Sequence, residues 1–182
     1  RVAALRQGPP PLPASLGETG ERGREPVDVG AITSALQVDV VERLVDDAVR
    51  GGARVLVGGR RRPGRGQFFE PTILEGCTPE MAIMREETFG PVMVLVRVRD
   101  EADAVRLANA TQFGLSATVM TQDRARAERM AHDIVAGGTS INDFGLTYMA
   151  MDLPFGGARN SGFGRLNGRE GLRACTNPKA VL

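Results

Sequence analysis

Between Pro91 and Asn142 the chain alternates apolar runs of strand length with amphipathic stretches of helical period, and that alternation limits its fold more than any other feature. Pro91-Val-Met-Val-Leu-Val-Arg-Val98 is almost continuously apolar and rich in β-branched residues, a pattern that fits a central strand covered on both faces. Asp100 is then placed to cap a helix with Ala102, Val105 and Ala108 turned inward, ending near Asn109. Residues 115–120 read as a strand. Thr121 or Asp123 caps a second helix over 123–135, which stops at Gly137-Gly138, and residues 139–142 read as the next strand. Strand, helix, strand, helix, strand in that order means right-handed βαβ units, so the expected class is α/β with a largely parallel sheet and flanking helices.

Upstream of this region, Ser34 and Gln37 stand in capping-box spacing, the hydroxyl and the amide each meeting an orphan backbone N–H. Val38, Val41, Val45 and Val49, with Leu44 and Ala48, then form one helical stripe that Gly51-Gly52 stops. Arg54-Val-Leu-Val57 reads as a short strand, residues 60–66 as a basic Gly/Pro hairpin, and Phe68–Leu74 as extended chain with Pro71 at a strand end or edge. Residues 1–7 look like the last turns of a helix, and 9–26 like a flexible Pro/Gly-rich insertion that cannot bury enough apolar area to offset its ordering entropy. From Asp143 to Gly168 regularity gives way to a Gly-rich loop, followed by a short helix at 168–175.

The 182 residues suffice for one domain with a buried core, and two small domains are also open at this length. With 23 basic against 22 acidic residues the net charge is +1, which argues against an electrostatic nucleic-acid surface. No apolar run reaches a membrane span, so the expectation is a soluble, cytoplasmic protein. Two cysteines, Cys77 and Cys175, make no disulfide framework and lack metal-ligand spacing. Cys77 lies in a Gly/Pro turn and Cys175 near a helix C-terminus, and neither position activates a thiolate.

The chemistry on offer concentrates in Arg85-Glu-Glu-Thr-Phe-Gly-Pro-Val92. Its adjacent carboxylates could bind ribose hydroxyls, act as an acid/base pair or be solvated loop charges, and composition by itself favours the solvated loop. Neighbouring side chains point apart along extended chain, which disfavours a shared-proton dyad. A carboxylate next to Phe89 at the mouth of a rigid strand suits a ribose bearing a flat heterocycle. The second glycine-rich candidate, Gly156-Gly157 with Gly162-x-Gly164, Arg159 and Arg165, has Asn167 where a dinucleotide fingerprint needs its last glycine, and no Walker lysine. It reads as a tight structural turn. His132, Asp46-Asp47 and Arg60-Arg61-Arg62 read as solvated faces, and Met81, Met84, Met149 and Met151 as packing or pocket lining.

Taken together, Phe69-Glu-Pro-Thr72, Glu86-Glu-Thr-Phe-Gly-Pro91, Ala108-Asn109, Phe113-Gly-Leu115, Ile141-Asn142, Pro154-Phe-Gly-Gly157 and Ser161-Gly-x-Gly-Arg165 resemble the aldehyde dehydrogenase superfamily, in family order over residues 27–180. The resemblance implies a partial catalytic domain over 27–182. It assigns Glu87 to the nicotinamide-ribose hydroxyls of NAD or NADP and Phe89 to the nicotinamide ring, and it puts Phe155 beside the aldehyde pocket. The apolar loop between Asn142 and Pro154, with Phe144 and Tyr148, resembles the longer loop of branches acting on aliphatic or aromatic aldehydes, which implies a hydrophobic aldehyde substrate. Glu86 is left without a role. Arg159 stands where the family commonly has Lys, and Leu166 where it often has Glu.

In this family the nucleophilic Cys, the base Glu and the dinucleotide-binding domain precede the segment that these residues match. The implied expectation is a C-terminal fragment, inactive alone, of an enzyme that attacks an aldehyde with a thiolate, transfers hydride from the thiohemiacetal to NAD(P)+ and hydrolyses the thioester. A homo-oligomer is expected of the full-length enzyme. An acyl-phosphate or acyl-thioester reductase of the same fold, and a non-catalytic interaction module, remain open at this point.

Overall fold

A computed structural model describes residues 1–8 and 27–181. The expected insertion over 9–26 lies outside the described residues. The chain divides into two compact units, Arg1–Arg97 and Val98–Leu182.

The first unit is built on helix α1, Ala35–Arg50. Ser34 caps it as expected, its hydroxyl accepting the Gln37 backbone N–H at 3.2 Å. Val38, Val41, Leu44, Val45 and Ala48 are buried along one stripe, while Val49 at its margin is exposed. That stripe packs with Ala53, Phe69, Leu74 and Ile83 into one apolar core. Strand β1 (Arg54–Val57) runs antiparallel to β2 (Thr72–Glu75), and β2 runs parallel to β3 (Val92–Leu95) in register Thr72 to Val92 through Glu75 to Leu95. The sheet is therefore mixed, with order β1-β2-β3.

This corrects the central-strand expectation for 91–98. β3 is an edge strand among the described residues, and its side chains alternate: Val92 and Val94 pack on the core, whereas Met93 and Leu95 are exposed. Strand pleating sends successive side chains to opposite faces, and the core covers one of them. Residues 1–7 form a single 3-10 turn at Val2–Ala4, not the end of an α-helix, after which Gln7 bridges Val29.

The basic hairpin is more than a solvated face. Arg61 bridges Phe69 through the backbone, and its guanidinium meets Asp39 at 2.5 Å and Glu42 at 2.8 Å on α1. Arg62 donates to the Gln7 carbonyl and lies 5.8 Å from the Phe68 ring centroid.

In the second unit, Asp100 caps helix α2, Glu101–Ala108, by accepting the Asp103 N–H at 2.8 Å. Its inward face differs from the expected one. Ala102 and Ala108 are exposed, and the buried residue is Asp103. The reason is electrostatic: the Asp103 carboxylate accepts from the guanidinium groups of Arg99 and Arg106 and from the Arg99 backbone N–H.

β4 (Phe113–Gly114) precedes β5 (Ser116–Val119), and Asp123 caps helix α3 (Arg124–Asp133) by accepting the Arg126 N–H at 3.0 Å. β6 (Gly138–Ile141) follows, parallel to β5 in register Ser116 to Gly138 through Val119 to Ile141. β5-α3-β6 is the expected parallel βαβ unit. A short helix α4 (Leu146–Met149), strand β7 (Ala158–Arg159, antiparallel to β4) and helix α5 (Gly168–Ala174) complete the unit.

Two asparagines tie these turns together by copying a backbone pair. Asn109 donates to the Asp133 carbonyl and accepts the Val135 N–H, each at 2.8 Å. Asn142 does the same with Thr121 O and N, again at 2.8 Å each.

Candidate functional site

The segment before β3 is fastened to α1 at three points. A 3-10 turn over Ala82–Met84 buries Ile83, and the chain then extends. The Gln37 carboxamide donates to the Thr88 carbonyl at 2.7 Å, and the Arg43 guanidinium donates to the Glu86 carboxylate at 2.7 Å. Gly90 lies against Val41, where an added Cβ would stand 2.4 Å from Cγ2. Beyond it, Pro91 leads into β3 with its carbonyl accepting the Thr72 N–H at 2.8 Å.

The two neighbouring glutamates therefore separate. Glu86 turns to Arg43, while Glu87 is exposed and makes no hydrogen bond or ion pair among the described residues. Phe89 is 75% exposed and holds φ of +40°, a region few non-glycine residues occupy. An unpaired carboxylate two residues from a presented ring, on backbone held from behind, offers a hydrogen-bond acceptor and an apolar face together. These fit a ribose diol and the flat ring attached to it. The part of Glu86, with Gln37 and Arg43 behind the loop, was not visible in the sequence. The Ser34-x-x-Gln37 spacing did single out Gln37, but its side chain bonds Thr88 across 51 positions instead of returning to Ser34.

The three residues expected around an aldehyde belong to the second unit. Tyr148 on α4 meets Phe155 edge to face, ring centroids 5.3 Å apart and planes at 81°. Phe155 is half-buried and paired through its backbone with Leu166. Phe144 is 89% exposed and joins no ring pair among the described residues. Around them Leu146, Met149, Met151 and Leu153 are also exposed, giving an apolar loop surface.

The glycine-rich segment is a structural turn. A Cβ on Gly156 would meet the Gly164 carbonyl oxygen at 2.5 Å, and one on Gly157 the Ser161 carbonyl oxygen at 2.4 Å. Arg159 spends its guanidinium on the Asn109 and Thr111 carbonyls, and Arg165 on those of Gly157 and Gly164. Neither is left for a phosphate. Cys77 is buried, and burial pushes its thiol above the usual range, opposite to what a nucleophile needs. Cys175 is exposed just beyond α5. Among the described residues no group of His, Cys, Asp and Glu could hold a metal, and no helix is long and apolar enough to cross a membrane.

The family model for the aldehyde dehydrogenase family matches residues 14–181. The chain belongs to the aldehyde dehydrogenase family. It is 38% identical over 181 residues to a succinate-semialdehyde dehydrogenase [NADP(+)] of Mycobacterium avium, covering 100% of this chain and 35% of that protein. A namesake from Deinococcus radiodurans is 43% identical over 153 residues, covering 84% of this chain and 32% of its own.

Among solved structures, an aldehyde dehydrogenase of Mycobacterium tuberculosis complexed with NAD+ matches with TM-score 0.81 at 33% identity, over 95% of this chain and 33% of that one. Betaine aldehyde dehydrogenase of Staphylococcus aureus, in complex with NAD+, matches with TM-score 0.75 at 36% identity, over 85% and 33%. The chain thus spans about a third of the length of the aldehyde dehydrogenases it resembles.

Proposed function

We propose that the complete enzyme carrying these residues oxidises an aldehyde to a carboxylic acid, with Glu87 and Phe89 as its clamp on the nicotinamide riboside of NAD(P)+. The observation that supports this most is the Glu87 carboxylate, unpaired among the described residues and two positions from the exposed Phe89 ring. When bound, NAD(P)+ supplies the hydride acceptor. Glu87 accepts hydrogen bonds from the two ribose hydroxyls, each charge-assisted and worth roughly 1.5–3 kcal/mol. Phe89 gives the nicotinamide ring an apolar face and excludes water from it. Because the loop is fastened before the cofactor arrives, little ordering cost is added on binding.

Phe144, Tyr148 and Phe155 form an apolar wall for the substrate in this reading. That wall favours a hydrophobic aldehyde, although the named relatives include succinate-semialdehyde dehydrogenases. The complete enzyme is a cytoplasmic homo-oligomer in the same reading, supported by its family.

Steady-state kinetics of Glu87→Ala and Phe89→Ala in the complete enzyme tests the clamp. Each is expected to raise KM for NAD(P)+ by about tenfold, the worth of one such contact, with little change in KM for the aldehyde. An unchanged cofactor KM in both variants would count against it.

A further inference from the structure

We propose that Met149 and Met151 are a peroxide-sensitive modification site, at which sulfoxide formation turns the aldehyde-binding wall from apolar to polar and so shifts which aldehyde the enzyme prefers. This rests on the reading of Phe144, Tyr148 and Phe155 given above. Met149 closes α4 and Met151 lies two residues beyond it. They are 69% and 68% exposed, whereas Met81, in the core of the first unit, is 9% exposed and takes the Thr78 N–H on its sulfur at 3.4 Å.

The backbone beneath both thioethers is fixed. The Met149 N–H donates to the Gly145 carbonyl at 3.3 Å, and the Met151 carbonyl accepts the Gly168 N–H at 2.9 Å. Thr147 packs back on Gly138, where an added Cβ would stand 3.2 Å from the threonine Cβ. With that side of α4 held inward, Tyr148 and Met149 are exposed on the loop surface, and the Tyr148 ring rests edge to face on Phe155. A thioether is unbranched and polarizable, so it adapts to an apolar ligand. A sulfoxide at the same place is a strong hydrogen-bond acceptor.

A hydroperoxide is the oxidant. A sulfur lone pair attacks one peroxide oxygen, the S–O bond forms as the O–O bond breaks, and the leaving oxygen takes up a proton to depart as water or an alcohol. Sulfur goes from thioether to sulfoxide and the peroxide is reduced. A methionine sulfoxide reductase reverses the change. A long aliphatic chain lying over the sulfoxide strips water from its oxygen and offers no hydrogen bond in return, which is unfavourable. A short polar aldehyde leaves that oxygen hydrated.

The test treats the complete enzyme with hydrogen peroxide and follows the ratio of kcat/KM for a long aliphatic aldehyde to that for a short polar one. Subunits inactivated outright turn over neither aldehyde, so they leave the ratio alone. Peptide mass spectrometry should find sulfoxide at Met149 and Met151, and the ratio should fall at least about fivefold, as for one polar group desolvated without a partner. Sulfoxide reductase should restore it. In the double variant Met149→Leu with Met151→Leu, peroxide should leave the ratio where it started.

Sulfoxide at both positions with an unchanged ratio would overturn the proposal. So would an equal fall in the double leucine variant, or the absence of sulfoxide at both positions when the exposed Met93 and Met120 are oxidised. Tyr148→Ala run in parallel separates this proposal from the reading beneath it. If Tyr148→Ala lowers the ratio while oxidation does not, only the modification site fails. If Tyr148→Ala leaves the ratio unchanged, the wall reading fails and the modification site falls with it.

Discussion

Gly90 and Val41 are in contact so close that a single added methyl group on the glycine would stand 2.4 Å from Val41 Cγ2. The contact sets how near the loop before β3 approaches α1. Gly90→Ala must push the loop outward or the helix inward, and overpacking of this kind costs about 1–3 kcal/mol. Thermal denaturation of the complete enzyme should show that loss. Adding Val41→Ala, which makes room, should recover part of it, and a Gly90→Ala variant as stable as the parent would refute the contact.

Asp103 supplies a pH dependence with a definite sign. Hydrogen bonds from Arg99 and Arg106 hold its carboxyl well below the usual carboxylate range. A carboxyl depressed in the folded state contributes stability above its unfolded pKa of about 3.9, and that contribution fades as pH falls from there towards the folded value. Asp103→Asn should therefore lower Tm at neutral pH, and the gap to the parent should narrow below about pH 4. A gap that is constant with pH would mean that packing, and not charge, is what the substitution removes.

The 182 residues expressed alone should carry out no NAD(P)+-dependent aldehyde oxidation. Of their two cysteines, Cys77 is buried with its thiol pushed up, and Cys175 is exposed beyond α5, its thiol making no hydrogen bond among the described residues. Turnover by the purified chain that survives replacement of both cysteines, or is abolished by replacing either, would contradict this.

On the proposed hydrophobic reading, substrate preference follows from the loop around α4. With Phe144, Leu146, Tyr148, Met149 and Met151 exposed and Tyr148 packed edge to face on Phe155, a long aliphatic or aromatic aldehyde should give the higher kcat/KM in the complete enzyme. One buried methylene is worth about 0.8 kcal/mol, so each should raise kcat/KM up to about fourfold until the wall is covered. A preference for short polar aldehydes would refute the hydrophobic reading.

Local signals in the sequence were dependable where one side chain settles one backbone group. Ser34, Asp100 and Asp123 cap their helices as their spacing indicates, and the stripe from Val38 to Ala48 is the buried one. Long-range pairing is what the sequence hid. Nothing near Gln37 signals Thr88, nothing near Arg61 signals Asp39, and the apolar run at 91–98 does not reveal that only one of its faces meets the core. The α2 periodicity misled because a buried Asp103 paired with two arginines looks, in sequence, like a solvated charge. At the proposed site, the motif pointed to Glu87 and Phe89, but that Glu86 turns to Arg43 while Glu87 stays unpaired among the described residues was not legible in it.

The central claim is that Glu87 holds the ribose of the nicotinamide half of the cofactor, and removing each partner in turn tests it most directly. Binding of NAD(P)+ and of an analogue lacking the nicotinamide-ribose hydroxyls is measured for the complete enzyme and for its Glu87→Ala variant. The parent should prefer the natural cofactor by roughly 10- to 100-fold, the worth of hydrogen bonds to a charged group, and Glu87→Ala should lose most of that preference. A variant that still discriminates as strongly as the parent would show that Glu87 does not hold the ribose.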